Sequence, residues 1–484
     1  MNKEYEYLGV EDNYSETSVL LSSLRSQNAT VIDNMQMTRR KFCDSFMNSI
    51  LTTLKITLAS IVQTSVAMVF LYVNMNTTYS CWEWQKRGNN NNTLPSSVKR
   101  VRVLGDCVES FEIYIWVPLT LMMLLGWKEF TTKFFSIVYI YLISGELLVI
   151  YQLICFQFSV NDGPKHYYRI PTYILFFASL FYACSMLLKT LRTGRRVISY
   201  SNAHIMFLFL VNFLFGGFYS YIYKYLIIPA FDKVREDEYK SLIAITSPVI
   251  GVFLNLVCWY IALLRSSEVI HPGRSFVLVY IIPGSVIFLF RTMQSDFKST
   301  WVFVSLSLIS AIFNFLRRVT LQIRYSFWSR VFRAFSCFHC CRRLHVFPWN
   351  TAHGRRLRAD LAIQHMMSEY SSLVLSQAFF IFYQFQNFEI ATETLSLEFL
   401  KRIAIAFGID FIFHCLSNCI EMYYYNFPIG RVWRKNWKRH VLANTILLLT
   451  NIAYFNDDFM AVFRSHFQKS GESSMYVVKN CSFF

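Results

Sequence analysis

Asp410, His414, Ser417, Asn418 and Glu421 recur at intervals of three and four residues within an otherwise apolar stretch. At about 100° per residue they fall within roughly a third of a helix circumference, which makes one polar stripe about three turns long. A carboxylate one turn from an imidazole can hold a proton and pass it on. A second stripe comes earlier in the chain, where Glu369, Ser372, Ser376, Gln377 and Gln384 occupy less than half of a helix circumference. Glu146, beside Gly145, is a further carboxylate in an apolar setting.

Ionisable groups at membrane depth are costly and mark ion paths or proton relays. Asp410, His414, Asn418, Glu421, Glu369, Gln377, Gln384 and Glu146 are therefore the candidate transport residues, expected to carry a cation or to relay protons coupled to a small solute. The alternative is that these groups bond one another and only hold helices together. Asn212, Asn255, Asn314 and Asn444, single amides in apolar runs, fit that packing role better.

The elements that carry these residues must be membrane helices. The chain has 484 residues, 54% of them hydrophobic, 18% aromatic and only 16% charged, far from the balance of a soluble domain. A bilayer core of about 30 Å is crossed by ~20 mostly apolar residues in a helix. Eleven such stretches are expected, at 50–73, 111–127, 134–158, 170–188, 205–229, 242–264, 275–291, 301–316, 367–387, 402–424 and 441–457. The fold class is an all-α, polytopic membrane protein. The first apolar run follows a polar leader, so no cleavable signal is expected and the first span acts as the targeting signal.

Charge sets the expected orientation. Arg39, Arg40 and Lys41 precede the first span and place the N-terminus in the cytoplasm. Basic loops then alternate with acidic ones, and the odd number of spans leaves the C-terminus on the lumenal or extracellular side. Lys401 and Arg402 breach the rule on the outer side. The resulting map has a polar tail and basic flank at 1–49, eight spans over 50–316, a basic cytoplasmic loop at 317–366, three spans over 367–457 and an outer tail at 458–484. The net charge of +17 follows from these loops, and nucleic acid is not an expected partner.

The first outer loop, 74–110, carries the glycosylation acceptors Asn76 and Asn91, and its Cys81 and Cys107 are expected to pair as a disulfide. The 317–364 stretch holds ten arginines among aromatic residues. Arg317, Arg318, Arg324, Arg330 and Arg333 are expected to contact anionic lipid headgroups, with a helix lying along the interface. The bland alternative is ordinary positive-inside charge in a long loop. Cys337, Cys340 and Cys341 with His339, His345 and His353 are donor types that zinc prefers. Cys340 and Cys341 are adjacent and fit one ion poorly, so lipidation and inert thiols are alternatives, and no metal or other cofactor is expected.

Transport is the leading functional expectation. Proline-bearing spans, with Pro118, Pro171, Pro248 and Pro283, supply kinks that can expose carbonyls, and Gly216–Gly217 allows close helix approach. The first alternative is an intramembrane enzyme acting on lipid or lipid-linked substrate, with His414 as base. The second is a receptor or trafficking scaffold. Possible sequons imply a membrane of the secretory pathway, with plasma membrane, endoplasmic reticulum and vacuole not separated.

Overall fold

The computed structural model describes residues 42–78, 96–158, 170–193, 201–234, 236–264, 269–297, 299–335, 350–389, 392–469 and 477–478. Asn91, Cys81, Cys337, Cys340, Cys341, His339 and His345 lie outside them. The described elements are almost entirely helical. They run α1 (Phe42–Thr78), α2 (Ser96–Leu125), α3 (Trp127–Lys133), α4 (Ser136–Gln157), α5 (Ile170–Thr193), α6 (Asn202–Ile222), α7 (Ile228–Lys233), α8 (Asp237–Leu264), α9 (Ile281–Ser295) and α10 (Thr300–Val319). The series continues with α11 (Leu321–Phe335), α12 (Ala352–Asn387), α13 (Thr392–Tyr423) and α14 (Ile429–Lys469).

Among the described residues, nine helices are long and apolar enough to cross a membrane, and ten if the 3₁₀ turn Pro272–Leu278 and α9 form one span bent by 45°. The protein is thus a polytopic, all-α integral membrane protein. The ninth expected span, 367–387, lies within α12, which is too polar to be counted among the ten. Its 36 residues are about 54 Å long at 1.5 Å per residue. They avoid lipid because α1, α9, α13 and α14 all pack around them.

The surrounding helices supply the apolar exterior. In the apolar windows of α4, α5, α8 and α10 only 28% of the residues are buried. Leu58, Val62, Val66 and Val69 on α1 also point outward. The bundle is therefore inside-out relative to a soluble protein, with α12 and its buried Asp360, Gln364, Glu369 and Gln377 at the centre. A two-residue antiparallel ladder, Phe388↔Val478 and Glu389↔Val477, ties the chain's tail to the end of α12.

Prolines bend this bundle less than expected. α2 and α8 run unbroken through Pro118 and Pro248. A π-turn at Tyr223–Ile227 lies just before Pro229, and the Ile228 N–H reaches back to the Tyr223 carbonyl. This wider turn accommodates a ring that would collide with the carbonyl four residues back in an α-helix. Among the described residues, Gly216 and Gly217 have no neighbour within 4 Å of where a Cβ would stand, so the close approach expected there is not made among them.

α2 ends at Gly126, whose φ of +93° lies in the left-handed region, and a Cβ at this position would come within 2.2 Å of the Arg274 guanidinium. Gly126→Ala is expected to cost about 1–3 kcal/mol through backbone strain, read as a lower thermal midpoint of the purified protein. An unchanged midpoint would show that the turn relaxes freely.

Candidate functional site

The two polar stripes meet inside the bundle. Asp410, His414, Asn418 and Glu421 are between 0% and 5% exposed and Glu369 is 2% exposed, so protein surrounds the stripe. Each rank along α13 meets a different partner. Asp410 Oδ2 accepts a hydrogen bond at 2.6 Å from Arg291 on α9. One turn on, His414 Nε2 lies 2.6 Å from Glu369 Oε2 on α12. Further along, the Arg318 guanidinium on α10 grips both oxygens of Glu421, with Nε donating at 3.1 Å, and also donates to Asn418 Oδ1.

The expected Asp410–His414 pairing is therefore replaced by two pairings across helices. Residues one turn apart on a stripe face the neighbouring helices side by side. Here those neighbours offer a guanidinium to the carboxylate and a carboxylate to the imidazole.

Glu369 is the hub. Its Oε1 accepts from Asn314 Nδ2 at 2.6 Å and lies 3.4 Å from His365 Nε2, which in turn lies 3.4 Å from Arg317. Arg291 Nη1 donates to Gln294 Oε1 at 3.0 Å and to Ser307 Oγ at 3.2 Å. Three carboxylates (Asp410, Glu369, Glu421) thus face three guanidinia (Arg291, Arg317, Arg318) with two imidazoles between them. From Asp410 to Glu421 the network spans about 17 Å of helix. A cavity with room for about one water molecule lies beside it, lined by Asn314, Arg318, Glu369, Asp410, His414 and Ser417 among others.

A second polar layer lies on other faces of α12. Asn444 Oδ1 accepts from Ser368, and its amide donates to Gln63 and Ser371, at 3.0–3.2 Å. Asn444 thus has the packing role expected of it, whereas Asn314, expected to do the same, belongs to the charged network. Closer to the start of α12, His440 Nε2 contacts Asp360 Oδ1 at 3.0 Å and its Nδ1 lies 2.9 Å from Gln364.

The remaining candidates are scattered. Gln377 is buried in α12, and its amide nitrogen has no hydrogen-bond partner among the described residues. Gln384 lies near the far end of the same helix. Glu146 is exposed on the outside of α4 and joins no path. The reason is Gly145, which packs onto Phe111 of α2 and turns the next residue outward. Arg402 is buried, donates to the Phe297 carbonyl at 3.1 Å and pairs with Glu398 at 3.0 Å. Its position beside acidic and carbonyl oxygens accounts for the breach of the charge rule.

Of the arginines expected at lipid, Arg317 and Arg318 turn inward, because they sit in the last turn of α10 and on the face that meets α12 and α13. Arg324 and Arg330 are exposed on α11, and Arg333 is carried by the same helix. Cys107 is a free, buried thiol rather than half of a described disulfide. Asn76, in the last turns of α1, accepts at 2.7 Å from Gln386. Among the described residues no group of three or more His, Cys, Asp or Glu is arranged to hold a metal ion.

Arg291, His365, Asp360 and His440 were not anticipated from the sequence. Arg291 falls at the predicted edge of a span, where an arginine resembles ordinary topology charge. The signal available was Arg291-x-x-Gln294 followed by Ser295 and Asp296, a polar run too long for a simple boundary. In comparisons with known proteins, no family model, no curated protein and no solved structure matches the chain.

Proposed function

We propose that this protein is a multi-pass transporter or channel in which α12 and α13 line the route of a cation or of a proton-coupled solute. The observation that carries the reading is the buried chain of exchangeable partners around Glu369, set against a cavity wide enough for water. A membrane protein keeps several charges at depth against a cost of about 2.5–3.5 kcal/mol each. A purely structural core of apolar residues would avoid that cost.

In this reading Glu369 and His414 hold the travelling proton or compete with the cation for it. Arg291 and Arg318 keep the flanking carboxylates in place. The arrangement corresponds to a closed state, and conduction requires α10 and α13 to move against α12 so that water reaches the stripe. The N-terminus and the basic loops face the cytoplasm, the membrane is one of the secretory pathway, and Arg324 and Arg330 on α11 contact anionic headgroups. The lipid-enzyme alternative is weaker, because a cavity for one water has no room for a lipid.

The test is proton or cation flux in vesicles containing the purified protein and a pH-reporting dye. Wild type is expected to dissipate an imposed gradient. Glu369→Gln and His414→Gln are expected to slow it by roughly two orders of magnitude, whereas Lys401→Gln, on the surface, leaves it unchanged. Wild-type vesicles no leakier than empty ones would sink the proposal, and so would buried-site variants that conduct normally.

A further inference from the structure

A different charged cluster lies where the 3₁₀ turn, the start of α12 and the first third of α14 converge. The turn His271–Arg274 is its centre. Arg439 Nη1 donates to the Gly273 carbonyl at 2.9 Å. The Arg356 guanidinium lies so close that a Cβ on Gly273 would be 2.2 Å from its Nη2. Arg274 donates to the Leu125 carbonyl at the end of α2. Arg356 and Arg439 therefore flank this turn of backbone, and Arg274 extends from it to the end of α2.

Their charge is only partly balanced by the protein around them: Glu129 acts on Arg274 and Asp360 on Arg439, two carboxylates against the three guanidinia. Arg439 feels the positive charges of both Arg274 and Arg356 and, against them, that of Asp360. Asp360 meets His440 through Oδ1 at 3.0 Å, while its Oδ2 has no hydrogen-bond partner among the described residues. His353 and His271 stand close enough to interact electrostatically as well, and neither brings a negative charge. The start of α12 adds more of the same sign: its first turn contains no acidic residue and carries Arg355 and Arg356, at the end where the helix dipole is positive. A helix normally places acids there, and arginines in that position oppose it.

The donors also outnumber the acceptors. Each guanidinium has five N–H groups. Arg356 Nε is buried with no hydrogen-bond partner among the described residues, and the fully buried Ser275 hydroxyl of the same turn has none either. An arrangement that gathers like charges and leaves donors unspent suits an anion. The planar forks of arginine suit tetrahedral oxyanions, and α12's capped N-terminus favours the same charge.

We propose that Arg274, Arg356 and Arg439 form a binding site for a phosphate group at this end of the bundle. The phosphate belongs either to a lipid headgroup in the adjacent leaflet or to a soluble phosphate compound. The site shares no residue with the Glu369 network and does not depend on the transport reading.

The experiment measures thermal unfolding of the full-length protein in two settings. In detergent, inorganic phosphate is titrated in, with chloride at equal ionic strength as reference. In nanodiscs, phosphatidylcholine alone is compared with phosphatidylcholine containing a phosphomonoester lipid. A rise in midpoint with phosphate identifies a soluble ligand, and a rise only with the phosphomonoester lipid identifies a headgroup. Arg356→Gln is expected to weaken binding at least tenfold, yet to leave the ligand-free protein as stable as wild type or more so, since it removes repulsion and no described hydrogen bond. Arg434→Gln, on an exposed part of α14, is expected to bind as wild type does. The proposal is overturned if neither ligand raises the midpoint, or if Arg356→Gln and Arg434→Gln respond alike, which would mark a diffuse surface effect. Should Arg439→Gln fail to fold, Arg356→Gln still decides the question.

Discussion

Arg291→Met is expected to cost about 3–5 kcal/mol of stability, the range for removing one partner of a buried ion pair. Arg291 is among the largest side chains with almost no exposure, at 1%, and it is the guanidinium that meets Asp410 at 2.6 Å. Without it, Asp410 remains as a buried carboxylate that has lost its guanidinium and still faces the carboxylate of Glu369. The loss comes mostly from that stranded charge, not from the attraction itself, so removing both partners should restore most of the stability. Arg291→Met combined with Asp410→Leu is expected to unfold within about 1–2 kcal/mol of wild type. Chemical denaturation of the detergent-solubilised protein, run as a double-mutant cycle, measures the difference. If the double variant is as unstable as the two singles summed, Arg291 acts through Gln294 and Ser307 and not through the pair.

Arg318→Ala is expected to be comparably damaging, about 3–5 kcal/mol, because it strands Glu421 and the amide of Asn418 in one step. Asn418 would still donate to Thr53 at 2.9 Å, which keeps α1 and α13 in contact. Arg318→Lys is the more informative change. A lysine restores the charge but not the two-pronged grip on the carboxylate, so it should recover only part of the loss. Full recovery by lysine would show that charge alone matters and that the fork geometry is incidental.

The architecture was legible where hydropathy carries it. Ten of the eleven expected spans correspond to helices, or to one bent pair, that pass a length and hydropathy test, because apolar runs of that length have few other uses. The eleventh illustrates the limit. α12 mixes apolar residues with Asp360, Gln364, Glu369 and Gln377, and hydropathy cannot tell a solvent-exposed helix of this mixed kind from one enclosed by other helices. What identifies it as interior is the packing of α1, α9, α13 and α14 around it.

The candidate site was half legible for the same physical reason. Spacing at three and four residues revealed which face of α13 is polar, since that depends only on the helix itself. Partner choice depends on distant segments. Asp410 and Arg291 lie 119 positions apart, and Glu421 and Arg318 lie 103 apart. Glu146 failed because a lone carboxylate in an apolar run has no periodicity to show which way it points. Arg317 and Arg318 were assigned to lipid because they end a span, although the same position in the last turn lets them reach back inside.

The enclosure of α12 has a consequence for biosynthesis. Insertion from the ribosome proceeds one hydrophobic segment at a time, and a segment holding buried Asp360, Gln364, Glu369 and Gln377 partitions poorly into lipid by itself, as arginine or aspartate near a segment's middle costs about 2.5–3.5 kcal/mol on insertion scales. Two of its neighbours, α13 and α14, are synthesised after it. The nascent chain must therefore hold α12 at the translocon, or admit it late, until the last two helices emerge to shelter it, so truncation after Asn387 should leave this helix outside the bilayer.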